Sequence, residues 1–203
     1  MSQVILLNGC SSSGKSSIAQ AIQHLSQKLW ITFGVDTFIE MIPLSKTDLY
    51  LKFIPSHNES GQTMQVASEP EARKLFALMP KFSEMLASNK NNLIIDEVLW
   101  DEDVLRSYSN HLKNHIVYYI GVFCDLNVMQ ERELLRRDRC IGLSNDQNDR
   151  VHRGILNKYD FTVDTTSISA FKAASLIIDF IARHPDPQAF KNIEKLAANG
   201  IVK

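Results

Sequence analysis

The residues most suited to chemistry lie near the start of the chain, where glycines, a lysine and a serine have a defined spacing. Residues 9–16 fit the pattern G-x-x-x-x-G-K-[ST] at every defined position. Glycines in such a loop let successive backbone N–H groups face one point, and a following helix N-terminus adds partial positive charge. The pattern predicts oligophosphate binding, with Lys15 on the β- and γ-phosphates and the Ser16 hydroxyl on Mg²⁺. The alternative is a chance Gly/Ser turn before a helix. The expected nucleotide ligands are Gly9, Cys10, Ser11, Ser12, Ser13, Gly14, Lys15, Ser16 and Ser17.

Two carboxylates follow apolar runs that are typical of buried strands. Asp96 ends the run 93–95, where a second Mg²⁺ ligand belongs, and we expect it to hold the ion through water. Asp36 ends the run 30–35, where a carboxylate can orient an attacking hydroxyl and accept its proton. The alternatives are an ordinary strand-end carboxylate for Asp96 and a helix N-cap for Asp36.

A charged helical stretch near 127–139 carries arginines at i, i+4 and i+7. Arg132, Arg136 and Arg139 therefore share one helical face. We expect Arg136 and Arg139 to close over the triphosphate and neutralise charge that develops during transfer. Arg132 is expected at the nucleotide too, with stacking on the base as another role. The alternative is a solvated face with internal Glu–Arg pairs.

Short apolar runs and helical patterns alternate along the chain. Because the runs lack alternation, they are typical of strands buried on both faces, which predicts an α/β fold with a parallel sheet whose ligands sit at the carboxyl ends. In the helix after the loop, Leu25 and Leu29 are expected on the inner face. Residues 45–69 are polar and aperiodic, so we predict a loop there. The five predicted strands are 4–7, 30–35, 93–95, 117–123 and 161–163.

Further helices are predicted in the second half of the chain. A long helical pattern opens at Pro70 and should kink or break near Pro80. Helices are also expected near 146–158 and over 169–183, the latter with Phe171 in its apolar set. A tail helix is predicted from Asp186 as its N-cap.

Composition bounds the class of protein. The chain has 203 residues, a net charge of −1, and 22 Lys and Arg against 23 Asp and Glu. One domain is expected, and no global basic field exists to hold nucleic acid or an anionic membrane. The start carries no signal-peptide pattern, and the three cysteines lack metal-ligand spacing, so we expect reduced thiols in a cytoplasmic protein. The oligomeric state stays open, a homo-oligomer included.

The sequence resembles the chloramphenicol phosphotransferase family within the shikimate- and adenylate-kinase-like P-loop kinases. The resemblance runs through LNGCSSSGKSS, FGVDTFIEMIPL, NLIIDEVL, GVFCD, RELLRRDR and YDFTVDTT. It implies a three-layer P-loop NTPase fold with a five-stranded parallel sheet, ATP as donor, and a small hydroxyl compound, such as chloramphenicol, as acceptor. By this resemblance Asp36 matches the catalytic base, and Arg136 and Arg139 fall in the lid. The implied organisation is a kinase domain over 1–185 with a lid near 127–150, and a helical extension over 186–203.

Three alternatives remain at this stage. One is a nucleoside, nucleotide or other metabolite kinase of the same fold. Another is a GTPase, because residues 157–160 spell N-K-x-D, although they follow a helical pattern rather than a strand. The third is a regulatory protein that hydrolyses ATP slowly. His152 is expected to be structural or on the surface, with substrate contact as the alternative.

Overall fold

The computed structural model describes residues 1–58, 61–135, 141–148 and 150–198. Within these ranges the chain forms seven strands and ten α-helices, with 3₁₀ turns at Leu44–Lys46 and Gly154–Asn157. The strands are β1 (Gln3–Asn8), β2 (Trp30–Gly34), β3 (Leu51–Asn58), β4 (Gly61–Ser68), β5 (Asn92–Glu97), β6 (Ile116–Phe123) and β7 (Phe161–Asp164). The helices are α1 (Lys15–Leu25), α2 (Val35–Glu40), α3 (Thr47–Tyr50), α4 (Pro70–Phe76), α5 (Met79–Ser88), α6 (Glu102–Leu112), α7 (Leu126–Leu135), α8 (Leu143–Asn148), α9 (Ala170–Arg183) and α10 (Ala189–Ala198).

The main sheet is parallel and has five strands in the described chain, in the order β2-β5-β1-β6-β7. This confirms the predicted sheet. Helices pack on both of its faces, so Ile5 lies in one apolar core and Leu6 in the other. Because central strands are covered on both sides, their sequences are continuous apolar runs rather than alternating ones. Among the described residues, no helix is both long and apolar enough to cross a membrane.

The loop predicted over 45–69 is wrong. Residues 51–58 and 61–68 pair as an antiparallel hairpin, with Pro55 opposite Met64, and α3 precedes them. A two-stranded hairpin has few neighbours to cover its faces, so its residues need not follow an apolar period. Pro55 and Met64 form a pair whose backbone nitrogens face away from the partner strand, so a proline there removes no hydrogen bond of the hairpin. The Met64 N–H accordingly donates to the Gly142 carbonyl, outside the hairpin.

Several helix limits also differ from prediction. The helix predicted near 146–158 is wrong: α8 ends at Asn148, and Gly154 has a φ of +55° that no α-helix adopts. Since α1 ends at Leu25, that side chain and Leu29 are exposed, against expectation, and Phe171 is exposed too. The break near Pro80 is confirmed, because α4 stops at Phe76 and α5 begins at Met79.

The tail helix begins two residues later than predicted, at Ala189, and Asp186 is not its cap. The carboxylate of Asp160 caps it instead, accepting from the backbone N–H groups of Gln188 at 2.6 Å and Ala189 at 2.8 Å. Phe190 and Ile193 of α10 are buried in the core beside α6 and β6. A cap supplied from elsewhere in the chain leaves no local sequence signal.

Candidate active site

The loop between β1 and α1 is compact and is held by hydrogen bonds to its own backbone. Ser12 and Gly14 have positive φ values of 61° and 95°, and the Ser13 N–H donates to the Cys10 carbonyl at 3.2 Å. The Lys15 ammonium donates to the same carbonyl at 2.9 Å, so the lysine closes the loop. Gly9 is needed for packing, because a Cβ there would lie 2.4 Å from the Val122 carbonyl oxygen. The strand, loop and helix expected around this motif are therefore present.

Three hydroxyls of the loop are buried without a hydrogen-bond partner in the described part of the chain: the Oγ atoms of Ser11, Ser12 and Ser13. Buried polar atoms left unpaired cost free energy, and native structures contain few of them. A ligand rich in acceptor oxygens would satisfy these hydroxyls together with the loop's backbone N–H groups. The loop therefore fits an oligophosphate.

Ser16 and Asp96 lie together although 80 residues separate them. The Ser16 Oγ donates to Asp96 Oδ2 at 2.5 Å, and the Lys15 Nζ is 3.6 Å from Asp96 Oδ1. Parallel pairing of β1 with β5 causes this, because it sets Leu7 opposite Asp96 just before the loop begins. A hydroxyl and one carboxylate fit Mg²⁺, which keeps several waters and takes further oxygens from phosphates. The described residues contain no cluster of three or more His, Cys, Asp or Glu side chains that could enclose a metal ion.

Asp36 lies at the same edge of the sheet. Its strand β2 pairs with β5 so that Gly34 is opposite Asp96, and Asp36 follows two residues later in the first turn of α2. A Cβ on Gly34 would lie 2.1 Å from the Asp96 carbonyl oxygen, so only glycine allows this close approach. The N-cap of α2 is Gly34. The alternative role of Asp36 as a helix N-cap is therefore wrong.

Of the three predicted arginines, Arg132 lies within the described chain and contacts the phosphate loop. Its guanidinium donates to the Ser12 carbonyl at 3.3 Å and to the Thr165 carbonyl at 2.8 Å. The Thr165 hydroxyl in turn donates to the Ser13 carbonyl at 2.7 Å. Arg136 and Arg139 lie outside the described residues. Thr165 was missed by sequence reasoning, although it belongs to the quoted segment YDFTVDTT.

Two further residues near the loop have no sequence signal. Glu133 is fully buried in α7, and its carboxylate accepts from the N–H groups of Gly142 at 3.0 Å and Ser144 at 2.7 Å. Gln147 of α8 is buried as well, and its Oε1 accepts from the Ser11 N–H at 2.6 Å. Both contacts join residues of separate segments, so no local sequence pattern predicts them.

His152 is half-buried and has a structural environment, as expected. Its ring stacks on Phe123 with centroids 3.9 Å apart, and its Nδ1 lies 2.6 Å from the Tyr159 hydroxyl. Burial, and secondarily the charge of Lys15, lower the pKa of His152 to about 4. The ring is therefore neutral near pH 7, and a hydrogen bond joins its Nδ1 to the Tyr159 hydroxyl.

Glu97, the neighbour of Asp96, is on the opposite face of β5. It is buried, and Tyr108 of α6 donates to its Oε1 at 2.6 Å. Burial raises the pKa of Glu97 to about 7, and the Tyr108 hydrogen bond partly opposes this shift. The two adjacent carboxylates therefore have different surroundings.

The N-K-x-D motif at 157–160 does not have the geometry that guanine recognition requires. Asp160 precedes β7, and its carboxylate accepts from the backbone N–H groups of Tyr119, Gln188 and Ala189. Asp160 is level with Tyr119 in the middle of β6, on the N-terminal side of β7 and not at the carboxyl ends of the strands. The motif has a structural role, and the GTPase alternative loses its support.

A parallel sheet of this order, with a glycine-rich phosphate loop after β1 and a carboxylate near the end of β5, defines a P-loop protein of the kinase type. Residues 2–182 match the family model described as "Chloramphenicol phosphotransferase-like protein", and the chain therefore belongs to that family.

Known proteins agree with this membership. A protein of Mycobacterium tuberculosis strain H37Rv, named "Putative O-phosphotransferase Rv2636", is 28% identical over 205 residues, covering 95% of this chain and 88% of the relative. A sugar kinase from Janibacter sp. HTCC2649 has a TM-score of 0.60 at 14% identity, over 90% of this chain and 95% of that one. Shikimate kinase from Acinetobacter baumannii, solved with shikimate, has a TM-score of 0.59 at 13% identity, over 91% and 95%. The two structures share the fold, and the family shows that the protein is an enzyme of the phosphotransferase class.

Proposed function

We propose that the protein transfers the terminal phosphoryl group of ATP to a hydroxyl group of a small molecule. The observation that carries this proposal is the assembly of Asp36, Asp96 and the phosphate loop at one edge of the sheet. A phosphate loop alone suits any nucleotide-binding protein. A carboxylate one strand away gives a place for an acceptor hydroxyl beside the terminal phosphate.

The nucleotide site would be made by the loop residues and by Arg132. The hydroxyls of residues 11–13 and the N–H groups of residues 12 and 14–16 would bind phosphate oxygens, and Lys15 would neutralise charge on the outer phosphates. Arg132, held beside Ser12, would contact the nucleotide from the other side. Arg136 and Arg139 would act from the lid. Mg²⁺, held by Ser16 and, through water, by Asp96, would supply charge neutralisation and help to orient the phosphates.

Asp36 would act on the acceptor. Its carboxylate would accept a hydrogen bond from the attacking hydroxyl, align the oxygen with the terminal phosphorus, and take the proton late, because the transition state is loose. The order of strands supports this role, since β2 and β1 flank β5 and place Asp36 across Asp96 from the loop.

The acceptor site would lie between α2, the hairpin and the segment after β5. Trp100 in that segment is 41% exposed, and the Arg150 guanidinium lies 5.2 Å from the centre of its ring. Trp30, in contrast, is buried at the start of β2, the wrong end for the site. Arg150 also forms an ion pair with Asp146, so its charge is balanced. These features support an uncharged acceptor with a flat apolar part, a description that fits chloramphenicol. The compartment that we propose is the cytoplasm.

The test is an ATP-consumption screen across hydroxyl compounds, chloramphenicol first, with the wild-type protein and Asp36→Asn. The wild type should form ADP and a phosphorylated product with at least one compound. Asp36→Asn should bind ATP as before and lose about 10²–10⁴-fold in turnover. Asp48→Asn, an exposed aspartate of α3, is the matched control and should retain full turnover. Equal turnover in Asp36→Asn would remove Asp36 as the base.

A further inference from the structure

The side chain of Gln147 reaches the phosphate loop from a helix more than a hundred residues further along the chain. Gln147 is 5% exposed, and its Oε1 accepts from the Ser11 N–H at 2.6 Å. Backbone N–H groups of such a loop are the groups that bind phosphate oxygens. The Gln147 carboxamide is bound to one of these N–H groups, and it therefore lies beside the proposed oligophosphate site.

The position of α8 is itself set by contacts at its start. The Glu133 carboxylate binds the N–H groups of Gly142 and Ser144, which ties α8 to α7. The Gly142 carbonyl accepts from the Met64 N–H of β4 at 3.1 Å. Because Met64 donates to Gly142 and not to β3, the free edge of β4 contacts the residue that precedes α8.

These contacts form a continuous physical connection from the hairpin to the loop. The Met64 N–H binds the Gly142 carbonyl, and Gly142 immediately precedes α8. Gln147, near the end of α8, binds the Ser11 N–H. Because α8 has only six residues and Gln147 is five residues from Gly142, a shift of β4 would move the Gln147 carboxamide. The hairpin is the element that we place beside the acceptor.

We propose that Gln147 is a positioning residue that holds the Ser11 peptide in its nucleotide-binding shape, and that the hairpin sets Gln147 through α8. The inference rests on the proposed function, because it assigns Gln147 to the same nucleotide site. Occupancy on the acceptor side and the shape of the phosphate loop are thereby linked.

Binding of ATP·Mg²⁺ to Gln147→Ala and Gln147→Glu, measured by calorimetry without any acceptor, tests the first part. Gln147→Ala removes one hydrogen bond to the loop and should weaken binding about tenfold. Gln147→Glu keeps an oxygen for the Ser11 N–H but brings a negative charge beside the phosphates, so it should weaken binding at least about a hundredfold. Asn148→Ala, an exposed amide on the same helix, is the control and should bind as the wild type does.

Which of Gln147→Ala and Gln147→Glu binds ATP more weakly separates positioning at the phosphates from a merely structural hydrogen bond. A structural role predicts that Glu restores what Ala loses, since Glu also accepts from an N–H group. Binding by Gln147→Glu that is equal to or tighter than binding by Gln147→Ala would overturn the inference. Absence of ATP binding by the wild-type protein would instead overturn the proposed function, and the inference with it.

Met64→Pro tests the second part, because it removes the N–H that binds Gly142 at a position whose N–H does not serve β3. It should weaken ATP binding about fivefold in the wild-type background and have no further effect in Gln147→Ala. Full additivity of the two substitutions would show that the hairpin does not act through Gln147 and would overturn this part.

Discussion

The buried pair of Glu97 and Tyr108 should make the stability of the protein fall as the pH rises from weakly acidic to weakly basic. Glu97 is 5% exposed, and burial raises its pKa from 4.5 to about 7. Between these two values the folded state binds more protons than the unfolded chain. This contribution to the free energy of unfolding is therefore fully present below pH 4.5, the pKa of Glu97 in the unfolded chain. It is lost as the pH rises through about 7, the pKa of Glu97 in the folded protein.

The magnitude follows from the size of the shift. The difference between 4.5 and about 7, at about 1.4 kcal/mol for each pKa unit, makes the ionised carboxylate cost about 3 kcal/mol at pH 8. At pH 5 the folded protein keeps the proton, and the cost is below about 1 kcal/mol. Glu97→Gln removes the ionisation but keeps an oxygen for the Tyr108 hydroxyl. The variant should exceed the stability of the wild type by less than about 1 kcal/mol at pH 5 and by about 3 kcal/mol at pH 8, where its Tm should be about 6–12 °C higher.

Urea unfolding of both proteins at several pH values from 5 to 8, in EDTA to exclude divalent ions, measures this gap. Glu194→Gln, an exposed glutamate on α10, is the control and should follow the wild type at every pH. Parallel pH profiles for Glu97→Gln and the wild type would refute the reasoning. A variant that is less stable at pH 8 would do the same, because the carboxylate would then be a stabilising charge rather than a costly one.

The remaining predictions concern the loop, the strand pairing and the lid. Lys15→Ala should weaken ATP·Mg²⁺ binding and turnover together, and unchanged turnover would contradict the role of the loop. Gly34→Ala should lower the free energy of unfolding by about 1–3 kcal/mol, because its methyl group collides with the Asp96 carbonyl; unfolding at the wild-type urea midpoint would contradict that packing. Glu133→Gln replaces one of two acceptor oxygens with a donor, so the N–H groups of Gly142 and Ser144 should exchange hydrogen faster. Unaltered exchange there would show that the carboxylate does not hold them.

The parts of the site that the sequence predicted are those whose determinants are local. The loop over 9–16 combines a spacing pattern with an apolar run before it and a helical period after it. Asp36 and Asp96 were found because parallel strands bring their carboxyl ends to one edge, whatever the strand order. Periodicity also located α9, which begins within one residue of prediction.

The parts that were missed depend on contacts between distant segments. Asp160 caps α10, Glu133 binds the start of α8, and Gln147 binds Ser11, and each contact spans a separation that no sequence period encodes. The hairpin was missed for a different reason. The strands of the hairpin contact each other and α8 rather than the main sheet. Their sequences therefore need neither an apolar run nor a strict alternation.

This division has a consequence for function. The residues proposed to bind phosphates lie on a motif that specifies its own backbone, and together with Asp36 they support the proposed reaction class. The surfaces proposed to face the acceptor include the hairpin and the segment with Trp100, whose positions depend on long-range contacts. Sequence patterns therefore predict phosphoryl transfer without predicting its acceptor. The same geometry implies that substitutions along the hairpin should change which hydroxyl compound is phosphorylated, while Asp36, Lys15 and Asp96 keep the chemistry unchanged.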